Sequence, residues 1–236
     1  MTERPPGQLC GIGVGPGDPE LLTLKGLRLL QAAPVVAYPG PETGAGFARG
    51  IVAQWLERDQ REIAIRFPMR PGPPPAAIYD EAAAQLAAVL DEGDDIAFLC
   101  QGDPLFYGSF AGIYTRLAPC YPVSVIPGVT SLTACAAAAG LPLAQRDSAI
   151  SVIPATLDEE ALTRRLAKSD AAAVIKIGRH FTKLRRVLER LGLLRAAIYI
   201  ERATLLNQRI APLSEIDAAE VPYFAMALIC RGEISG

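Results

Sequence analysis

The stretch Gly11-Ile12-Gly13-Val14-Gly15-Pro16-Gly17-Asp18-Pro19-Glu20 decides the fold class of this chain. An apolar run from about Leu9 to Val14 leads into it, and a helical pattern from Leu21 to Ala33 follows. Strand, glycine-rich turn and helix open an α/β fold, in which glycines let the backbone approach a ligand closely. The spacing gives neither G-x-G-x-x-G nor a closing Gly-Lys-Ser/Thr, so the dinucleotide and P-loop fingerprints fail. The stretch therefore predicts a ligand-binding loop of another kind.

The composition narrows the class of protein. The chain has 236 residues, half of them apolar, and a formal net charge of -2. The acidic balance argues against a nucleic-acid binder, which would carry a basic excess. No apolar run reaches the roughly 18 residues that cross a membrane, and the segment MTERPPGQLC lacks the apolar core of a signal peptide. We therefore expect a soluble, cytoplasmic protein with no nucleic-acid or membrane partner.

The cysteines and the single histidine do not form a metal-binding pattern. No C-x-x-C pair occurs, and the scattered positions suit reduced, mostly buried thiols. We expect no metal site, and the sequence offers no convincing Ser-His-Asp or Cys-His set, so no catalytic residue is assigned. The residues concerned are Cys10, Cys100, Cys120, Cys135, Cys230 and His180.

Alternating strands and helices through the first half predict a parallel sheet covered by helices. The second half predicts strands near 150–153, 173–177 and 195–201, and then two strands, 207–211 and 223–230, that pair with each other in a mixed sheet. We expect two α/β domains, 1–127 with the glycine-rich loops and 128–236. The proline-rich connection Met69–Pro75 predicts a stiff exposed linker, with a flap over the active-site mouth as the alternative.

A second loop, Cys100-Gln101-Gly102-Asp103-Pro104, follows the strand that ends near Leu99. Ligands bind beyond the carboxyl ends of strands in open α/β sheets, so this loop and the first one should be neighbours. Asp103 and Pro104 by themselves predict a helix start, because Asp is a good N-cap and Pro suits the first helical position. Capping does not explain Gly102 or Tyr107, so we add a binding role.

These segments resemble the motifs of the tetrapyrrole methylases, which use S-adenosylmethionine. Gly13 to Asp18 with Leu21-Leu22-Thr23-Leu24-Lys25 is similar to the opening motif of the family, and Gly102 to Gly108 is similar to the second. The turn Pro127-Gly128-Val129-Thr130-Ser131 is similar to a third, which faces the cofactor. The resemblance covers essentially the whole chain. It implies the two-domain α/β architecture, a C-terminal domain that closes the cofactor cleft, S-adenosyl-L-methionine as cofactor and a homodimer.

The resemblance also implies positions for the site. The cofactor-binding residues implied are Pro16, Gly102, Asp103, Tyr107, Thr130, Ser131, Ile177, Ala203, Thr204, Tyr223 and Phe224. A tetrapyrrole substrate carries acetate and propionate arms, which require basic partners. The candidates are Arg70, Arg146, Lys176, Arg179 and Arg202, each of which also has the simpler interpretation of a surface charge.

Finer features look like the branch of the family that serves cobalamin (vitamin B12) biosynthesis. Four segments carry this likeness: Phe67 to Met69, Leu99 to Phe110, Ser131 to Ala136 and Val152 to Leu157. The likeness implies methyl transfer to C-20 of precorrin-2, metal-free or cobalt-bearing. Gln101 stands where uroporphyrinogen III methyltransferases usually have a second glycine, which disfavours that relative. The alternatives are the same fold acting on another tetrapyrrole, on ribosomal RNA or on diphthine, or a non-enzymatic sensor of S-adenosylmethionine.

Overall fold

The computed structural model describes residues 4–41, 44, 46–67 and 75–231 of the chain. The chain divides into two compact units, Met1–Thr130 and Ser131–Gly236. Apart from Pro75, the proline-rich connection Met69–Pro75 lies outside the described residues. Among the residues described, no helix has both the length and the apolar character needed to span a membrane.

The first unit alternates strands with helices, as the sequence predicts. Its strands join in one parallel sheet with the order β3-β2-β4-β1-β5. The strands are β1 (Leu9–Gly13), β2 (Val35–Gly40), β3 (Arg61–Arg66), β4 (Ile96–Cys100) and β5 (Val123–Ile126). The helices are α1 (Leu24–Ala32), α2 (Phe47–Ile51), α3 (Ala76–Asp91) and α4 (Phe110–Leu117).

Alternate side chains of this sheet face two separate apolar layers. Ile12 and Leu99 pack in one layer with Leu30 of α1. Phe98 packs in the other layer with Phe110 of α4, and the two ring centroids lie 5.3 Å apart. The central strands are therefore buried on both faces, as is usual for a parallel sheet, and α1 and α4 lie on opposite sides of it.

The strand order changes direction between β1 and β4. The chain leaves β1 toward β2 on one side, and it leaves β4 toward β5 on the other side. Two adjacent strands whose connections diverge in this way leave a crevice beyond their carboxyl ends, where α/β sheets bind ligands. The fold therefore places the two glycine-rich loops beside such a crevice.

The second unit holds a mixed sheet with the order β6-β7-β10-β8-β9. β6 and β7 are parallel, whereas β10 runs antiparallel to both β7 and β8, and β9 runs antiparallel to β8. The strands are β6 (Ile150–Pro154), β7 (Ala171–Ile175), β8 (Ala197–Glu201), β9 (Arg209–Pro212) and β10 (Ala225–Cys230). The helices are α5 (Ser131–Ala139), α6 (Glu159–Ala167) and α7 (Phe181–Arg190).

The mixed sheet is as predicted, but the predicted pairing of the last two strands is wrong. Tyr199 of β8 pairs with Ala211 of β9 on one side and with Ala227 of β10 on the other. β10 is buried almost throughout, whereas β9 is largely exposed. The apolar strand therefore takes an interior place between β7 and β8, and the more polar β9 forms an edge.

Candidate functional site

Two loops of the first unit are joined backbone to backbone at the crevice. The Gly102 N–H donates to the Gly15 carbonyl oxygen at 2.8 Å, and the Gly15 N–H donates back to the Gly102 oxygen at 3.3 Å. Both residues lie in the left-handed region, with φ of 81° at Gly15 and 68° at Gly102. Glycine adopts this conformation without the steric cost that other residues meet.

The loop after β5 meets these two loops at the same point. A Cβ atom on Gly13 would lie 2.6 Å from both the Gly102 oxygen and the Gly128 nitrogen. A Cβ atom on Gly128 would lie 2.1 Å from the Gly102 oxygen. Gly13 and Gly128 stand in the quoted motifs but were not among the predicted cofactor residues. The sequence alone could not single them out, because only the folded chain shows how closely the three backbones approach each other.

Asp103 ties the second loop to the third. Its Oδ1 accepts from the Leu105 N–H at 2.9 Å, and its Oδ2 accepts from the Gly128 N–H at 3.1 Å. The predicted helix start at Asp103 is wrong, because the next helix begins at Phe110. Tyr107, with φ of 57°, lies in the left-handed region between them, which an α-helix does not accommodate. The carboxylate therefore closes a turn and holds the loop of Gly128.

The three loops carry no basic side chain. The segments 13–18, 101–109 and 127–130 contain Asp18 and Asp103 but neither Lys nor Arg. Thr23 caps the helix behind the first loop, since its Oγ1 accepts from the Gly26 N–H at 3.1 Å. A phosphate site would present free helix-terminal amides or cations, so the crevice suits a ligand without phosphate.

The predicted cofactor residues of the first unit lie in or beside these loops. Pro16 and Gly102 are buried, and Asp103 and Thr130 are half-buried. Tyr107 is 49% exposed and Leu105 is 54% exposed, so the second loop presents two apolar side chains to solvent. Ser131 is the first residue of α5 and belongs to the second unit.

Eight of the predicted residues of the second unit gather at one end of its sheet, where β7 and β8 finish. β7 and β8 run in the same direction and flank the reversed β10, so their carboxyl ends share an edge with the start of β10. The Arg202 N–H donates to the Phe224 oxygen across this edge at 2.9 Å. The residues gathered there are Lys176, Ile177 and Arg179 after β7, Arg202, Ala203 and Thr204 after β8, and Tyr223 and Phe224 before β10.

The side chains at this edge differ in what they can offer a ligand. Ile177 and Ala203 are buried in apolar clusters, so only their backbone groups remain for ligand contact. Tyr223 is 64% exposed, and its ring packs edge to face on Phe224 with centroids 5.1 Å apart. Lys176 and Arg179 are exposed.

Arg146 is not among these residues, and it lies at the opposite end of this sheet. It belongs to the turn Gln145–Ser148, which leads into β6. The Ala149 N–H that follows the turn donates to Asp170 Oδ2 at 3.0 Å, just before β7 begins. The structure therefore does not bring Arg146 together with Lys176 and Arg202, and Arg70 lies outside the described residues.

Backbone strain coincides with the predicted residues. Within the described part of the chain, the non-glycine residues with positive φ are Tyr107, Arg146, Lys176, Arg202 and Thr204. Every one of them is a predicted cofactor or substrate residue. The left-handed conformation costs a non-glycine residue about 1–2 kcal/mol, and such strain clusters at functional sites. The dihedral angles therefore point to these loops independently of the sequence motifs.

Two groups near this end of the second sheet, Tyr199 and His180, have shifted pKa values. Burial, together with a hydrogen bond to Glu201, raises the pKa of Tyr199. Burial lowers the pKa of His180, and the nearby Lys183 and Arg179 lower it further, so the imidazole is neutral at pH 7. Over the described ranges of the chain, no group of three His, Cys, Asp or Glu side chains is placed to hold a metal ion.

Comparison with curated proteins identifies two informative relatives. The chain is 41% identical over 232 residues to a precorrin-2 C(20)-methyltransferase from a Sinorhizobium species, covering 94% of this chain and 95% of that protein. It is 42% identical over 235 residues to the cobalamin biosynthesis protein CobIJ of Mycobacterium tuberculosis, covering 96% of this chain and 46% of CobIJ. The chain thus spans about half the length of CobIJ.

Comparison with solved structures also identifies a methyltransferase that acts on a tetrapyrrole. The uroporphyrin-III C-methyl transferase from Thermus thermophilus, solved with S-adenosyl homocysteine, superposes with a TM-score of 0.71 at 26% identity, covering 95% of this chain and 98% of that one. The family model of the tetrapyrrole (corrin/porphyrin) methylases matches residues 8–217. That match and the 41% identity to a full-length relative show that this chain belongs to the tetrapyrrole (corrin/porphyrin) methylases.

Proposed function

We propose that the chain is an S-adenosylmethionine-dependent methyltransferase that adds a methyl group to C-20 of precorrin-2 in cobalamin biosynthesis. The observation that carries this proposal is the 41% identity, along 94% of the chain, to a precorrin-2 C(20)-methyltransferase. Because that relative acts on precorrin-2, we favour the metal-free substrate over its cobalt form. The convergence of three backbone loops at the crevice of the first unit supports a small-molecule site.

S-adenosylmethionine supplies a methyl group on a sulfonium cation. The loops of the first unit fit such a group, because they hold no Lys or Arg that would repel a cation. Gly13 and Gly128 let the three loops meet backbone to backbone, because a Cβ atom on either residue would overlap backbone atoms of a neighbouring loop. The relative from Thermus thermophilus was solved with S-adenosyl homocysteine, the demethylated form of the same molecule.

The cofactor residues remain part of the proposal. In the first unit we assign Pro16, Gly102, Asp103, Tyr107 and Thr130, with Asp103 acting by holding the amides of Leu105 and Gly128. In the second unit we assign Ser131, Ile177, Ala203, Thr204, Tyr223 and Phe224, with Ile177 and Ala203 contributing backbone groups because their side chains are buried.

The chain's own task in this chemistry is positioning. The sulfonium carbon is already an activated electrophile, so the residues must align the two reacting atoms and exclude water. Alignment of this kind can lower a barrier by about 7–11 kcal/mol. A proton must also leave C-20, and no side chain is assigned to remove it.

The substrate's carboxylates need cationic partners. We propose Lys176, Arg179 and Arg202 as the main group, because the structure gathers them at one sheet edge. Arg70 and Arg146 stay candidates from the sequence. We also propose a homodimer in the cytoplasm, which light scattering of the purified protein and fractionation of its host cell would check.

The decisive experiment is an anaerobic incubation with S-adenosylmethionine carrying a ¹³C-methyl group and with precorrin-2, metal-free and cobalt-loaded in parallel. We expect one added methyl group, placed at C-20 by NMR, in the metal-free tube. Product in the cobalt tube alone would reverse the choice of substrate. Binding of S-adenosyl homocysteine without methylation of either tetrapyrrole would contradict the proposed substrate and direct the search to RNA and protein substrates.

A further inference from the structure

Glu201, the last residue of β8, is a carboxylate placed inside the second unit. It is 5% exposed, and Ser169 is the other buried polar residue in the described ranges. The Ser169 hydroxyl donates to the Arg165 carbonyl oxygen at 2.9 Å, an ordinary contact at a helix end. A buried charge is costly unless it is paired and hydrogen-bonded. Glu201 therefore needs a different explanation from Ser169.

Two donors satisfy Glu201, and they come from its own strand end. The Tyr199 hydroxyl donates to Oε2, and Arg202 Nη1 donates to Oε1 at 2.7 Å. Tyr199 is fully buried in the core under α7, where its ring packs edge to face on Phe181. Tyr199 thus fixes the Glu201 carboxylate from the core, and the carboxylate in turn fixes the Arg202 guanidinium.

Arg202 stands at the surface end of this chain of contacts. Its side chain is 37% exposed, compared with 7% for Glu201. Its backbone is fixed twice, by a φ of 49° and by the hydrogen bond to the Phe224 oxygen. A guanidinium has five N–H donors, and the bond to Glu201 uses Nη1, so other N–H groups can reach a second carboxylate.

Two other basic residues, Arg209 and Lys176, lie near Arg202 in the sheet. Arg209 stands opposite Glu201 in the strand register, but its guanidinium is paired with Glu220 at 3.0 Å. Lys176 follows β7, which lies two strands from β8, or about 10 Å away. Stability alone does not explain the buried pair, because apolar residues of similar volume are often at least as stabilising.

We infer that Glu201, anchored by Tyr199, positions the Arg202 guanidinium to bind a carboxylate of the tetrapyrrole substrate. Arg202 is the contact residue, and Glu201 and Tyr199 are positioning residues. The inference rests on the proposed function for the identity of the substrate. Beyond that function, the inference says that Arg202 binds a carboxylate arm of the substrate and that Glu201 and Tyr199 hold Arg202 in place.

The test compares Glu201→Gln, Arg202→Ala and the double variant with the wild type. The matched control is Glu160→Gln, which removes an exposed carboxylate paired with Arg164 on α6. We measure KM for precorrin-2, kcat, the affinity for S-adenosyl homocysteine, and the affinity for uroporphyrin III, an air-stable tetrapyrrole carboxylate, by fluorescence quenching.

We expect each single variant to raise KM and weaken uroporphyrin III binding by about tenfold or more, the effect of one charge-assisted hydrogen bond. Turnover and S-adenosyl homocysteine affinity should stay within about threefold of wild type, because the lost contact holds the substrate in ground and transition state alike. The double variant should match Arg202→Ala, since Glu201 acts through Arg202. Glu160→Gln should match the wild type.

Tyr199→Phe keeps the ring in the core and removes the hydroxyl, so it tests the anchor should Glu201→Gln fold poorly. It should weaken uroporphyrin III binding in the same direction and less strongly. Additive effects in the double variant, or single variants with wild-type KM, would overturn the inference and leave the proposed function intact. If the wild type does not methylate precorrin-2, the proposed function fails, and uroporphyrin III binding then tests the inference by itself. Weaker binding by the variants than by the wild type would support the inference. Equal binding by all proteins, or no binding by the wild type, would overturn it.

Discussion

Gly128→Ala should disable the site through a single added methyl group. The Cβ atom would start 2.1 Å from the Gly102 oxygen and 2.8 Å from Gly13, and both neighbours are backbone. Real Cβ contacts stay beyond 3.0 Å, so the loop of Gly102 must retreat or the loop of Gly128 must withdraw. Neither backbone can adjust by a side-chain rotation, which makes this site less tolerant than an ordinary core position.

The size of the effect follows from that displacement. Overpacking of this kind lowers the free energy of unfolding by about 1–3 kcal/mol. A misplacement of about 1 Å at a reacting centre can cost about 100-fold in rate. We therefore expect methyl transfer to fall by about 100-fold while the first unit stays folded, because its core beneath the loops is untouched.

Gly50→Ala is the matched control. Gly50 lies in α2, and a Cβ atom there would meet nothing within 4 Å. This substitution should stabilise the first unit by about 0.5–1 kcal/mol, since alanine is the better helix former. Urea unfolding, calorimetric titration with S-adenosyl homocysteine and single-turnover methyl transfer are measured on both variants. A folded Gly128→Ala protein with wild-type affinity and rate would refute the convergence of the three loops.

Three further substitutions test other parts of the structure. Asp103→Ala removes the acceptor of the Gly128 N–H, so it should lower the free energy of unfolding by about 1–3 kcal/mol and weaken S-adenosyl homocysteine binding; unchanged affinity in calorimetry would contradict its role. Thr204→Gly relieves a φ of 74° and should stabilise the second unit by about 1 kcal/mol while weakening cofactor binding, and a loss of stability in urea unfolding would argue against strain. The Arg49 guanidinium, hydrogen-bonded to both oxygens of Glu62, lowers the pKa of that carboxyl. The stability from this pair is present above the ordinary Glu pKa near 4.5 and is lost as pH falls through the lowered value, so Glu62→Gln should flatten that part of the unfolding curve measured against pH.

The parallel sheet of the first unit could be predicted because its signals are local. Leu9 to Gly13 and Ile96 to Cys100 are continuous apolar runs bounded by turn residues, which is typical of strands buried on both faces. The apolar pattern over 47–56 does not form one continuous helix. α2 ends at Ile51, and a separate 3-10 turn follows at Ala53–Trp55, a boundary that periodicity does not reveal.

The features that could not be predicted depend on tertiary neighbours. β9 and β10 are neighbours in sequence, which favours pairing them, but in the sheet the exposed β9 and the buried β10 lie on opposite sides of β8. Asp103 carries the residue type of a helix cap, and only the folded loop shows that its acceptors serve Leu105 and Gly128.

The sequence named residues that the structure brings together, but it did not reveal the contacts that hold Arg202. Lys176 and Arg202 were candidates for binding the substrate, and the structure places both at one end of the second sheet. Glu201 was missed, because a charge at the end of the strand Ala-Ile-Tyr-Ile-Glu reads as the point where the chain reaches solvent. The signal was Tyr199, which two residues earlier lies on the same face of the strand.

The place of β4 in the sheet also governs when the site can come into being. β4 lies between β2 and β1 in the sheet, although β2, β3 and the helices α1, α2 and α3 separate it from β1 along the chain. A protein is synthesised from its N-terminus, and pairings between distant segments form slowly because a long loop must close first. The Gly15 to Gly102 contact therefore arises only after β4 has been made and has inserted between its neighbours. During synthesis the first glycine-rich loop emerges early, without the loops of Gly102 and Gly128 that complete the crevice. If the proposed cofactor residues are right, the growing chain gains affinity for S-adenosylmethionine only after the third loop, at Gly128, has left the ribosome.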